Sequence, residues 1–154
     1  MCPELWLVPG DSRSDRREAD GVRVVLADDH PLSLFAMRRV LESDRGIEIV
    51  GEAEALKPAI SVTLRVRPDV LVLAVWMPRS RIGTVEMLAG TLGGTAIILA
   101  TMERDAAFAS RALAVGARGY VLKDRADSDL PHAIHAVARG QRYVSPTAGV
   151  TPLP

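Results

Sequence analysis

Two adjacent carboxylates, Asp28 and Asp29, close the apolar run Val22-Arg23-Val24-Val25-Leu26-Ala27. A hydroxyl, Thr101, closes Ala96-Ile97-Ile98-Leu99-Ala100, and an ammonium, Lys123, closes Gly119-Tyr120-Val121-Leu122. Acids that suit a hard cation, a hydroxyl and a fixed positive charge are the parts of a phosphoryl-transfer pocket. The fourth run, Val70-Leu71-Val72-Leu73, ends in Ala74 and continues Val75-Trp76-Met77-Pro78. A methyl stands where such a pocket needs a carboxylate acceptor, so the constellation lacks its nucleophile.

The elements that must position these groups alternate along the chain. Short apolar runs at 22–27, 47–51, 70–75, 96–101 and 119–122 are too continuously apolar for half-exposed strands. They suit a parallel sheet covered on both faces. Helices are predicted between them. Residues 32–43 place Leu34, Met37 and Leu41 on one face, with Pro31 in the first turn. Residues 55–65, a short weak segment at 84–92, and 104–115 ending at Gly116 follow. Residues 128–139 carry Leu130, Ile134 and Val137, with Ser128 as the cap and Gly140 as the stop. Five βα repeats give a doubly wound α/β domain, whose ligands gather at the carboxyl ends of the strands.

Composition narrows the function further. Lys plus Arg and Asp plus Glu number 19 each, so no net field draws the chain to nucleic acid or a membrane surface. One cysteine, Cys2, cannot form an internal disulfide, which fits a reducing cytoplasm. Hydrophobic content of 48% with only 4% aromatics calls for an aliphatic, alanine-rich core. No run is long enough to span a bilayer. Residues 1–20 include a mixed-charge stretch that cannot bury enough surface to offset its ordering entropy, and read as a disordered leader. Residues 21–146 form the domain, and 147–154 a tail that forms no helix and supplies no base-reading element.

Leu26-Ala27-Asp28-Asp29-His30-Pro31, Arg67-Pro68-Asp69-Val70, Met77-Pro78 and Gly116-Ala117-Arg118-Gly119-Tyr120-Val121-Leu122-Lys123-Asp124 together resemble the receiver domain of NarL/LuxR-type bacterial response regulators. The resemblance implies a flavodoxin-like (CheY-like) five-stranded parallel sheet of order 2-1-3-4-5, with helices on both faces. It implies a domain that accepts a phosphoryl group from a sensor kinase on an aspartate ending the third strand. Carried over by position, Asp28 and Asp29 match the Mg²⁺-binding acids and Thr101 the hydroxyl that contacts the phosphoryl group. Lys123 matches the pocket lysine and Tyr120 the rotamer-switching aromatic. Two departures stand out. Ala74 occupies the phosphoacceptor position, and the loop Arg79-Ser80-Arg81-Ile82-Gly83 is one residue longer than the family's usual loop and carries two arginines.

Several arrangements stay open at this point. Asp28 and Asp29 form either a weakened Mg²⁺ site or a hydrogen-bonded, partly hydrated pair held by Lys123. Arg79 or Arg81 reaches the acids and replaces the metal, or both lie on a solvated face. Trp76 either closes the pocket or packs at its edge. Tyr120, deprived of its trigger, is expected to be a half-buried surface residue. His30 serves the turn into the first helix, and His132 with His135 lacks a third metal ligand.

The expectation is a stand-alone, degenerate receiver that is not an enzyme, requires no cofactor and signals in the cytoplasm by protein contact. Its partners would be a sensor kinase docked on the first helix, with Leu34, Met37 and Leu41 nearby, another response regulator, or a second copy met through the last helix, whose stripe Leu130, Ile134 and Val137 serves either core or interface. The rival in the same class is a truncated or mutated fragment of a DNA-binding regulator. A rival from another class, an aspartate-dependent phosphatase, spaces its acids as Asp-x-Asp, which Asp28-Asp29-His30 does not match.

Overall fold

The computed structural model describes residues 21–74 and 81–146. The expected leader and tail, and the candidate pocket residues Trp76 and Arg79, lie outside the described residues. Strands β1 (Val22–Ala27), β2 (Ile47–Ala53), β3 (Val70–Leu73), β4 (Ala96–Thr101), β5 (Gly119–Leu122) and β6 (Tyr143–Val144) form one parallel sheet. Its order is β2-β1-β3-β4-β5-β6. The five-strand order is as expected, and the two-residue β6 extends it at one edge. Helices α1 (Pro31–Glu42), α2 (Leu56–Val66), α3 (Arg81–Thr91), α4 (Ala106–Ala114) and α5 (Ala126–Ala138) alternate with the strands.

Period-two alternation along the strands divides the core into two layers. Val25, Ala27, Leu71, Leu73, Ile97, Leu99, Tyr120 and Leu122 face α2, α3 and α4. Val24, Leu26, Val70, Val72, Ile98 and Val121 face α1 and α5. Both faces are covered, which is why the central strands carry no polar alternation. At the β2 edge the pattern loosens, and a register shift opposite Val24 and Val25 carries the strand to Ala53, two residues past the expected end.

Three helix expectations need correction. Leu130, Ile134 and Val137 are buried against the sheet, so the last helix's apolar stripe is core and offers no dimer surface. The same holds for Leu34, Met37 and Leu41 of α1. What α1 exposes is Leu32 and Phe35, three residues apart on one face, with Arg38 over the Phe35 ring. Ser128 does not cap α5: the helix begins at Ala126, and the Ser128 hydroxyl donates back to the Arg125 carbonyl. Gly116 does end α4's turn at φ +127°, and a Cβ there would lie 2.5 Å from the Ala89 methyl, so only glycine fits against α3. Among the described residues, no helix is long and apolar enough to cross a membrane.

Candidate functional site

Strand register sets the level of every site residue. Ala27 pairs with Leu73 and Leu73 with Leu99, so Asp28 and Ala74 emerge together at the carboxyl edge of the sheet. Thr101 pairs with Leu122, which puts Lys123 just beyond it. The Ala74 amide still donates to the Ala27 carbonyl at 2.7 Å, continuing the ladder, and its methyl is largely buried.

Asp28 is completely buried. Its Oδ1 accepts from the His30 backbone N–H at 2.9 Å, an Asx-type turn that aims the chain into α1. His30 is the helix N-cap through its extended backbone, and its imidazole makes no capping bond. Asp28 Oδ2 lies 2.9 Å from Lys123 Nζ, whose side chain is 20% exposed. The contact is an ion pair, and Oδ2 accepts no hydrogen bond from the described residues. Lys123 thus reaches Asp28. Asp29, by contrast, is exposed.

These residues fit a divalent cation poorly. Such a site wants several oxygens free to converge, and Asp28 has one on an amide and the other on an ammonium. Position 74 contributes none, and among the described residues no group of three His, Cys, Asp or Glu side chains converges on a point. His135 is engaged elsewhere, with Nε2 2.9 Å from Asp44 Oδ2. Burial works to raise the Asp44 carboxyl, but bonds to His135 and the Gly46 amide outweigh it and hold the group below the usual carboxylate value.

Arg81 is engaged by Glu103 and Phe108. Its guanidinium lies 3.4 Å from Glu103 and stacks 4.1 Å over the Phe108 ring. Tyr120 is fully buried and not half-exposed as expected. Its hydroxyl donates to the Glu103 carbonyl at 2.6 Å, and its ring meets Phe108 edge-on at 6.1 Å. Burial, reinforced by the Glu103 charge, pushes the phenol up to about 12. Thr101 Oγ1 accepts from the Glu103 amide at 3.0 Å, so Glu103 links the hydroxyl, the tyrosine and the arginine.

Two supports escaped sequence reasoning. Ser145 Oγ accepts from the Leu122 amide at 3.0 Å and donates to buried Asp129 Oδ2 at 2.8 Å, pinning β5 just before Lys123. Asp129 also takes Arg125 Nε at 3.1 Å. Burial raises the Asp129 carboxyl, and the bonds from Ser145 and Arg125 more than reverse this. Arg104 pairs with Asp124. No spacing rule joins residues 122, 129 and 145; only the fold does.

Residues 24–135 match the response regulator receiver domain. The chain is 31% identical over 129 residues to the transcriptional regulatory protein MctR of Rhizobium johnstonii, covering 83% of this chain and 60% of that protein. It is 30% identical over 128 residues to the transcriptional regulatory protein RcsB of Escherichia coli, covering 80% and 59%. A LuxR-family two-component response regulator from Aurantimonas superposes with a TM-score of 0.75 at 32% identity, covering 83% of this chain and 92% of that one. The chain thus spans about 60% of the length of these curated relatives. The matched residues, the fold and the strand order agree, and the chain belongs to the response regulator receiver family.

Proposed function

We propose that this receiver signals by protein contact and without accepting a phosphoryl group. The observation that carries the reading is Ala74, a buried methyl level with Asp28 at the end of β3. Aspartyl phosphate formation requires a carboxylate oxygen to attack phosphorus, and alanine has none. Asp28 is a poor substitute because it is buried, held by the His30 amide and neutralised by Lys123. Charge balance from within the chain also removes the need for Mg²⁺. The domain would act in the cytoplasm on a sensor kinase, another response regulator or a second copy. The exposed Leu32 and Phe35 of α1 are its apolar contacts on that face. Catalysis is no part of this reading.

Incubation with acetyl phosphate and Mg²⁺ tests it. No hydroxylamine-sensitive phosphate is expected on the protein, whereas a stoichiometric acyl phosphate overturns the proposal. A second reading, favoured by relatives that are named transcriptional regulators and are longer than the matched span, makes this the regulatory part of a DNA-binding protein. The absence of an acceptor then means that promoter binding is insensitive to phosphodonors, which a DNA-binding assay on the full gene product checks.

A further inference from the structure

Glu103 is held at three points by groups from three different elements. Its amide donates to Thr101 Oγ1 at the end of β4, its carbonyl accepts from the Tyr120 hydroxyl in β5, and its carboxylate meets Arg81 at the start of α3. The same guanidinium sits over the Phe108 ring at 4.1 Å, and Phe108 meets the Tyr120 ring edge-on. Arg81, Glu103, Phe108 and Tyr120 therefore close a ring of contacts around the segment between β4 and α4. We propose that Arg81 is a latch, holding that segment and Tyr120 in one inward arrangement that phosphorylation does not control.

The physical case rests on coupling. Turning Tyr120 outward would leave the Glu103 carbonyl without its donor and would empty the space beside Phe108. Moving the segment would in addition separate Glu103 from Arg81 and from Thr101. One guanidinium makes both the ion pair and the ring contact, a combination suited to a planar cation and not to an ammonium. The Thr101 hydroxyl ties the segment to the end of β4 as acceptor of the Glu103 amide. The inference rests on the phosphorylation-independent reading and deepens it, because it says how one state is kept without a covalent signal.

The test is ¹⁹F spectroscopy of the full chain carrying fluorotyrosine, with Tyr143→Phe used only to assign the Tyr120 signal, together with amide exchange at Glu103. The unmodified protein is expected to give one narrow Tyr120 resonance, unchanged by acetyl phosphate and Mg²⁺. Arg81→Gln is expected to split or broaden that resonance at least twofold and to speed exchange of the Glu103 amide at least tenfold. Arg81→Lys, which keeps the charge and loses the planar stack, should fall between the two. An Arg81→Gln protein with the same single resonance and Glu103 exchange within twofold of the original overturns the latch. If Arg81→Gln does not fold, Glu103→Gln removes the ion pair while keeping both backbone contacts, and an unchanged spectrum there overturns it equally. Failure of the underlying reading has a different signature: acyl phosphate on the unmodified protein.

Discussion

Removing the Lys123 ammonium leaves Asp28 buried beside a methyl, with no opposing charge among its described contacts. At about 3 Å and an effective dielectric near 20, the gross attraction between the two charges is roughly 5–6 kcal/mol. Much of it offsets the desolvation of Asp28, and Lys123 is 20% exposed, so part is screened by water. Breaking a fully buried pair costs about 3–5 kcal/mol, and the lower exposure-corrected figure of about 2–3 kcal/mol is expected for Lys123→Met. A domain of this size loses roughly 3–5 °C of melting temperature per kcal/mol, so the melt should fall by about 6–15 °C. The assay is a double-mutant cycle at neutral pH with Lys123→Met, Asp28→Asn and the pair together. The double variant should recover most of what Lys123→Met loses, because no buried charge then lacks a partner. Strict additivity, or a Lys123→Met protein that melts within 1 °C of the original, would refute the account of the pocket.

Restoring the acid should have the opposite sign from a repair. Ala74→Asp adds a carboxylate to a crevice whose ammonium is already committed, and should cost about 1–2 kcal/mol in metal-free buffer, partly returned by millimolar Mg²⁺. Equal stabilisation of the unmodified protein by Mg²⁺ would count against the poor metal fit. Tyr120, pushed up to about 12, contributes stability that is complete below pH 10 and lost as the pH rises toward 12. A spectrophotometric titration should therefore show it protonated at pH 10, and Tyr120→Phe should remove the late step. Ser145→Ala strips the Leu122 amide of its acceptor and Asp129 of a donor, both buried, and should cost about 1–3 kcal/mol in denaturant unfolding. A cost under about 0.5 kcal/mol, the usual surface value, would mean that the network does not pin β5.

The sheet was legible because burial on both faces writes itself as uninterrupted β-branched runs, and the pocket because its residues end those runs. Asp28, Thr101 and Lys123 needed only the strand ends to be placed. Tyr120 was misjudged for a physical reason: its hydroxyl is satisfied by a backbone carbonyl, and a backbone acceptor has no sequence signature. The apolar stripes of α1 and α5 could not be assigned to core or interface from helical spacing, since both need the same spacing; the two covered faces decide for core. For Arg81 the sequence left a reach to the acids and a solvated face both open, and neither names the partners that α3 brings it to, Glu103 and the Phe108 ring. β6 is two residues long, too short for any alternation to declare it.

That short strand has a further effect. On the outer side of β5, the Arg118 carbonyl takes the Tyr143 amide, the Tyr120 carbonyl takes the Ser145 amide, and the Leu122 amide is spent on the Ser145 hydroxyl. β5 therefore offers no open row of donors and acceptors to a passing strand, and β6 is too brief to present a new one. The opposite border, β2, pairs through β1 over its full length and sets Glu48 and the Arg38–Glu52 ion pair along its side. Backbone zippering onto this domain is thus discouraged at the β6 border and flanked by charge at the β2 border. An assembly entered on the β6 side is then cemented by side chains on helices and loops, where specificity can change one residue at a time while the sheet stays as it is.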